Sequence, residues 1–329
     1  MGLKILITGG GGFIGSNVAK ELQILYKDAN ITIFDKFNTG EKRLNGNFKY
    51  FGDFKNLVGF KGKVIAGDIS NDSDLNNVLK NEFDIIFHQG AISDTTVLDQ
   101  EDVIRTNTNS LYAILEYCRF SKAKLIYASS AGTYGNSLAP NIAGSGEIPE
   151  NVYGFSKLMM DEITRSFITE NPDVHVVGLR YFNVYGPGEL YKRRTSSMIL
   201  QLAKQAIDKN KVRIFKHGEQ SRDFVYIKDV VQANIKAIGG KSGIYNIGYG
   251  KERTFNDIVN ILSSCFHKLI EVEYFDNPYS FYQNNTCADI SSTNESLNYQ
   301  PEFSLETGIK DYFKEIIQYS PRQWSSFYE

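Results

Sequence analysis

The sequence predicts an α/β protein: a doubly wound, mainly parallel sheet followed by a smaller, mixed α/β C-terminal region. Three observations carry that prediction. Short apolar runs alternate with stretches of helical spacing through the first half of the 329 residues. Four glycines, Gly9 to Gly12, separate the first apolar run from the first helical stretch. Past Gly186-Pro187 the alternation becomes irregular. Strands that alternate with helices need crossover connections, and these pack right-handed onto a parallel sheet.

The elements follow in order. Residues 4–8, 31–35, 63–67, 85–88 and 124–129 are short apolar runs that read as parallel strands buried on both faces. Between them, residues 13–26, 72–79 and 103–120 carry helical spacing. A helix over 153–168 and a strand over 175–181 complete the first region, assigned to residues 1–187. The second region, 188–329, holds helix candidates at 195–207, 228–238, 254–267 and 305–317. Short strands are expected at 212–215, 224–227 and 244–247, and some of these segments are expected to return to the first region. Residues 37–58 read as a long loop.

Composition narrows the function classes. A hydrophobic content of 42% and a charged content of 22% suit a soluble globular protein. The net charge of −2 leaves no electrostatic footprint for nucleic acid or an anionic membrane. No apolar run approaches the roughly 18 residues that span a bilayer. Cys118, Cys265 and Cys287 lack metal or redox spacing, so reduced thiols and no metal site are expected. The first residues lead straight into a strand pattern, so no secretory signal is expected and the cytoplasm is the expected compartment.

The chemistry-bearing residues cluster at strand ends. Gly9-Gly10-Gly11-Gly12-Phe13-Ile14-Gly15 lies between a strand and a helix. There glycine permits a tight turn and lets a pyrophosphate approach backbone N–H groups at the helix N-terminus. Two registers fit, Gly10-x-Gly12-x-x-Gly15 and Gly9-x-x-Gly12-x-x-Gly15. Asp35 ends the second strand, where an acid takes the adenosine ribose hydroxyls of NAD. Lys36 and Lys42 follow it and could pair with the 2′-phosphate of NADP, so both cofactors stay open, with NADP the expectation. Asp68 follows the third strand, beside the adenine end, and Gln89-Gly90-Ala91 follows the fourth, letting a cofactor pass close to backbone. Ser130 ends the fifth strand and Tyr153 and Lys157 stand four apart on a predicted helix, on one face. A lysine charge beside a phenol favours the phenolate, so the Tyr153 pKa is expected to fall toward working pH and make an acid/base for an alcohol.

These motifs, with Arg180-Tyr181-Phe182-Asn183-Val184-Tyr185-Gly186-Pro187, resemble the extended short-chain dehydrogenase/reductase superfamily and its nucleotide-sugar epimerase/dehydratase branch. The resemblance implies a Rossmann dinucleotide-binding domain over 1–187 and a mainly substrate-binding domain over 188–329. It implies cofactor contacts from Gly9, Gly12, Phe13, Ile14, Gly15, Asn107, Val184 and Lys157, the last holding the nicotinamide ribose. A finer resemblance is to the ADP-glycero-manno-heptose 6-epimerase family. It rests on Gly90-Ala91-Ile92-Ser93-Asp94-Thr95-Thr96, Tyr127-Ala128-Ser129-Ser130-Ala131, Lys192 five residues after Pro187, Arg222-Asp223-Phe224-Val225-Tyr226 and Tyr282-Gln283. That resemblance implies epimerisation at carbon 6 of ADP-heptose, a heptose of lipopolysaccharide cores, with Tyr153 and Lys192 as acid/base residues on the two faces of the sugar. It implies sugar or diphosphate contacts from Ser93, Asn183, Arg194, Gln201, Phe215, Arg222 and Tyr282, and a homo-oligomer, commonly a pentamer. Gly188 departs from the family pattern, which commonly has arginine there, and Arg194 and Gln201 stand where serine and histidine are frequent.

Two other readings belong beside this one. A UDP-hexose 4-epimerase would share Ser130, Tyr153 and Lys157 without needing Lys192 as a second base. A dinucleotide-sensing regulator would share the fold, but such a protein can do without the intact Ser130, Tyr153 and Lys157. A 4,6-dehydratase fits less well, because the segment after Ser130 lacks that family's Asp-Glu pair.

Overall fold

The computed structural model describes residues 2–276, 285–325 and 327. Its strands are β1 Lys4–Thr8, β2 Asn30–Asp35, β3 Lys63–Ala66, β4 Ile85–His88, β5 Lys124–Ser130, β6 Val176–Tyr181, β7 Asn183–Tyr185, β8 Lys211–Phe215, β9 Ser221–Tyr226, β10 Gly243–Ile247, β11 Glu252–Thr254 and β12 Glu271–Phe275. Seven of them form one parallel sheet in the order β10-β6-β5-β4-β1-β2-β3. The chain leaves β3 at one edge and restarts at β4 beside β1, so the strand order reverses between β1 and β4. Open α/β sheets bind ligands at such a point, outside the carboxyl ends of the strands.

The alternation of side chains along each strand sorts them onto two faces. Ile5, Ile7, Ile33, Phe87, Ile126 and Leu179 pack with Val18 and Leu22 of α1 (Phe13–Leu25). Leu6, Phe34, Ile86, Leu125 and Tyr127 form the opposite core with α2 (Asp72–Leu79) and later helices. There α3 (Gln100–Ile104) runs through a wide turn at Arg105–Asn109 into α4 (Ser110–Ser121), and α5 (Val152–Glu170) lies alongside. Asn151 caps α5, its side-chain oxygen accepting from the Gly154 N–H at 2.8 Å.

The second region adds α6 (Met198–Lys209), α7 (Ile227–Ala237), α8 (Phe255–Phe266), α9 (Ser291–Leu297) and α10 (Leu305–Ile316). Its mixed sheet β11-β9-β7 and the parallel pair β12-β8 stand outside the main sheet. Leu262 and Ile309 share one continuous core with α1 and the sheet, and β10 is the main sheet's last strand. Among the described residues, no helix is long and apolar enough to cross a membrane.

The structure corrects two expectations. Residues 63–67 read as a buried strand, but β3 is an edge strand in which Ile65 alone is even half-buried. The loop over 37–58 folds back on itself instead of wandering, through bridges Phe37 to Gly52 and Lys42 to Phe48 and a single 3-10 turn at Phe54–Leu57.

Candidate active site

A cleft of about 390 Å³ opens where the strand order reverses, at the carboxyl ends of the central strands. Gly9, Gly12, Phe13, Ile14 and Gly15 form its floor. Of the two glycine registers, Gly9-x-x-Gly12-x-x-Gly15 is the one whose three glycines all line the cleft, while Gly10 packs against Ile33. Gly9 has φ +66°, and a Cβ there would lie 2.5 Å from the Gly90 nitrogen. A Cβ on Gly15 would meet the Gly9 carbonyl oxygen at 2.4 Å. Gly12 begins α1 without any side-chain cap, so the first amides of the helix remain for an anion. A nicotinamide dinucleotide fits this cradle: the backbone is bare where a pyrophosphate must approach, and the helix start offers donors to it.

Asp35 lies beneath the turn. Its carboxylate accepts from the Gly11 N–H at 2.7 Å, and a Cβ on Gly52 would come within 2.3 Å of it. Burial pushes its pKa up to about 6 despite the N–H donors of Gly11 and Gly12. Lys36 and Lys49 flank the Tyr50 ring at the same end of the cleft, 4.5 and 5.6 Å from its centre. Lys36 also reaches Asp68 at 2.5 Å. Lys42 does not line the cleft, because its side chain lies over the Phe48 ring; Arg43 does, held by Asp102 at 2.9 Å.

Ser130, Tyr153 and Lys157 meet at the middle of the cleft. The Ser130 hydroxyl accepts from the Gly132 N–H at 3.0 Å, and Lys157 Nζ donates to the Ala128 carbonyl at 2.7 Å. The expected fall of the Tyr153 pKa does not occur. Burial pushes the phenol above its usual value, and only the Ser130 hydroxyl opposes this. The ammonium of Lys157 points to the β5 carbonyl instead of the phenol, which is the physical reason. Burial pulls Lys157 down to about 8, with Asp161 opposing.

Lys192 enters from the second region, on a 3-10 turn over Glu189–Thr195, and its Nζ lies 5.8 Å from the centre of the Phe13 ring. It lines the cleft together with Tyr153. Burial lowers its pKa, while Glu189 and Asp94 raise it. Glu189 is fully buried and ties the turn together, accepting from Gly186 N–H at 3.1 Å and from Ser197 N–H and O–H at 2.5 and 2.9 Å. Asp94 was overlooked as a functional residue in the sequence, as was Glu189. Asp94 lies within the Gly90–Thr96 motif and Glu189 three residues before Lys192, and nothing else in the sequence marks either acid.

Asp68, Gln89, Gly90, Ala91, Ser93 and Val184 also line the cleft. Asn107 does not. It is buried, and its amide grips both the N–H and the C=O of Ile92 (2.8 and 3.0 Å), so it shapes the loop after β4 and makes no cleft surface. Five residues assigned to the substrate also lie off this cleft. Asn183 is exposed on β7, and Arg194 is exposed. Gln201 donates to the Arg194 and Ser196 carbonyls, Phe215 packs on Phe275, and buried Arg222 donates to the Ser221 carbonyl at 2.8 Å. Tyr282 falls outside the described residues.

Comparison with known proteins agrees with this geometry. Residues 5–248 match the NAD dependent epimerase/dehydratase family. The chain belongs to this family. A member from Brachyspira hyodysenteriae, named ADP-L-glycero-D-manno-heptose-6-epimerase, is 35% identical over 324 residues, covering 96% of this chain and 98% of its own. The solved structure of Helicobacter pylori ADP-L-glycero-D-manno-heptose-6-epimerase is 50% identical, covers 97% of each chain and superposes with a TM-score of 0.88. A UDP-glucuronic acid 4-epimerase from Bacillus cereus, solved with UDP-glucuronic acid and NAD, is 26% identical with a TM-score of 0.81, covering 96% of this chain and 99% of its own. The family therefore accounts for the cleft as a nicotinamide-dinucleotide site, and for the sheet and its smaller companion region.

Proposed function

We propose that the protein interconverts the D-glycero and L-glycero forms of an ADP-glycero-manno-heptose at carbon 6, with tightly bound NADP, in the synthesis of lipopolysaccharide core heptose. The observation that carries this reading is the convergence of two unlike bases, Tyr153 from α5 and Lys192 from the second region, on one cleft. The near-full-length similarity to proteins of that name supports it.

A bound nicotinamide dinucleotide supplies the acceptor and donor of hydride, on one side of the cleft only. Inverting a carbon against a fixed side requires the sugar end to turn over while its C6 oxygen is a carbonyl. That oxygen then needs a proton partner in each pose. Tyr153, beside Ser130, holds the proton in one pose. Lys192, whose burial makes the neutral amine more accessible, holds it in the other. Lys157 and the bare amides at the start of α1 bind the dinucleotide. On this reading residues 1–187 bind the dinucleotide and 188–329 mainly the sugar nucleotide.

NADP is favoured over NAD because Asp35 already accepts from the glycine turn and is covered by Gly52, while two ammonium groups stand at the opening beside it. Incubating the protein with each purified ADP-heptose epimer, without added cofactor, should give a mixture of both by chromatography. Turnover of UDP-glucose alone would replace this reading with a 4-epimerase. Mass spectrometry of the nucleotide released on denaturation should find NADP, and NAD would overturn that part.

A further inference from the structure

Directly behind Ser130 and Lys157 lies a buried set of charges that touches neither cofactor nor sugar in the reading above. Asp161 stands one turn beyond Lys157 on α5 and is fully buried. One carboxylate oxygen accepts from the Tyr127 O–H at 2.7 Å. The other accepts from the Ser129 O–H at 2.8 Å and from Arg180 Nε–H at 2.7 Å. Arg180, on β6 and fully buried, also donates to Glu147, which Arg165 grips at 2.9 and 3.0 Å. Arg165 also pairs with Glu162, so three carboxylates share two guanidiniums, and the Asp161–Arg180 pair lies fully buried where an unpaired charge would be strongly unfavourable.

The placement of the donors matters more than their number. Tyr127 and Ser129 point from β5 toward α5, so the intervening Ala128 and the following Ser130 belong to the alternate side of the strand. Asp161 thus ties down the final residues of β5 from behind, one residue before Ser130 and around the carbonyl that receives Lys157. We infer that Asp161, oriented by Arg180, is a positioning residue that sets the place of the Ser130 hydroxyl and supplies the negative charge that keeps Lys157 an ammonium. This rests on the proposed roles of Ser130 and Lys157.

The groups facing Lys157 are few. Tyr153 and Asp161 lie on its own helix, His88 on β4 and Arg180 on β6. His88 is held neutral, its pKa pulled down to about 3 by burial and then by Lys157 itself. Asp161 is the carboxylate among these four; burial pushes its pKa up, and the Arg180 charge with the hydrogen bonds from Tyr127, Arg180 and Ser129 opposes that.

The test is Asp161→Asn, which keeps the shape and removes the charge. Its kcat should fall about tenfold or more with little change in KM, because hydroxyl placement changes and the sugar pocket does not. The basic limb of its pH profile should move to lower pH, since Lys157 then loses its proton sooner. Asp161→Glu should restore part of both. A folded Asp161→Asn protein with wild-type kcat and an unmoved basic limb would overturn the inference. Should Asp161→Asn not fold, Ser129→Ala keeps every charge; a drop of several-fold in kcat with the basic limb unmoved is expected, and wild-type kcat would overturn the positioning role. Dinucleotide affinity measured against pH by fluorescence separates this from the proposed reaction. If the wild type turns over no ADP-heptose, yet the affinity midpoint is lower in Asp161→Asn, the reaction assignment fails and the inference stands. An unmoved midpoint overturns the inference whatever the sugar.

Discussion

Tyr153 and Lys192 divide the proposed chemistry at the residue scale, and each owes its state to burial more than to a charged neighbour. Tyr153 was expected to be acidified by Lys157, yet its phenol is pushed up and its one lowering neighbour is the Ser130 hydroxyl. Four-residue spacing puts two side chains on one helical face, but it does not aim a flexible lysine at its neighbour. Here Nζ finds the Ala128 carbonyl. Lys192 is lowered by burial and raised by Glu189 and Asp94. Both Tyr153→Phe and Lys192→Met should slow epimerisation by about 10²-fold or more, the scale of a lost general acid/base. Measured single-turnover rates check this, and wild-type epimerisation by Lys192→Met would refute the two-base division.

The segment over 37–58 is the element whose behaviour the structure changes most. Read as a long loop, it is a folded excursion tied across the mouth of the cleft. Asp94 accepts from Asn45 and Asn47 side chains at 2.9 and 2.8 Å and from the Thr96 N–H and O–H, and Arg43 reaches Asp102. Burial raises the Asp94 pKa, but the hydrogen bonds from Asn47 and Thr96 outweigh it. Removing a hydrogen-bonded, mostly buried carboxylate costs about 1.5–3 kcal/mol per bond to a charged group. Asp94→Ala should therefore accelerate amide exchange across 37–52 and raise the dinucleotide off-rate by tenfold or more, read by stopped-flow fluorescence. Unchanged exchange in that segment would show that the tie is unimportant. No periodicity marks these contacts in the sequence, because they join loops far apart in the chain.

Across the whole molecule, buried ion pairs link stability to pH. Burial pushes the Glu147 carboxyl up, but Arg165 and Arg180 outweigh it and hold the pKa at about 2, below the usual 4.5. A carboxyl with a depressed folded pKa stabilises the protein above about pH 4.5, and that contribution is lost as pH falls toward 2. Glu147→Gln should lose on the order of 3 kcal/mol at neutral pH, and the gap from wild type should close between pH 4.5 and 2 in urea titrations. A gap that persists at low pH would place the effect in packing. The sequence by itself determined the strand and helix alternation, the glycine turn, and the residue types at strand ends, since periodicity and backbone freedom are local properties. Those were enough to site Ser130, Tyr153 and Lys157 at one sheet edge. Only the tertiary structure decided the glycine register, the edge exposure of β3, the covering of Asp35 by Gly52, and the withdrawal of Asn107, Lys42 and Arg222 from the cleft. It alone brought Asp161, Arg180 and Glu147 together behind Ser130. Each of these depends on which side chain, from a distant part of the chain, burial leaves as the nearest hydrogen-bond or charge partner, and one-dimensional spacing does not encode that choice.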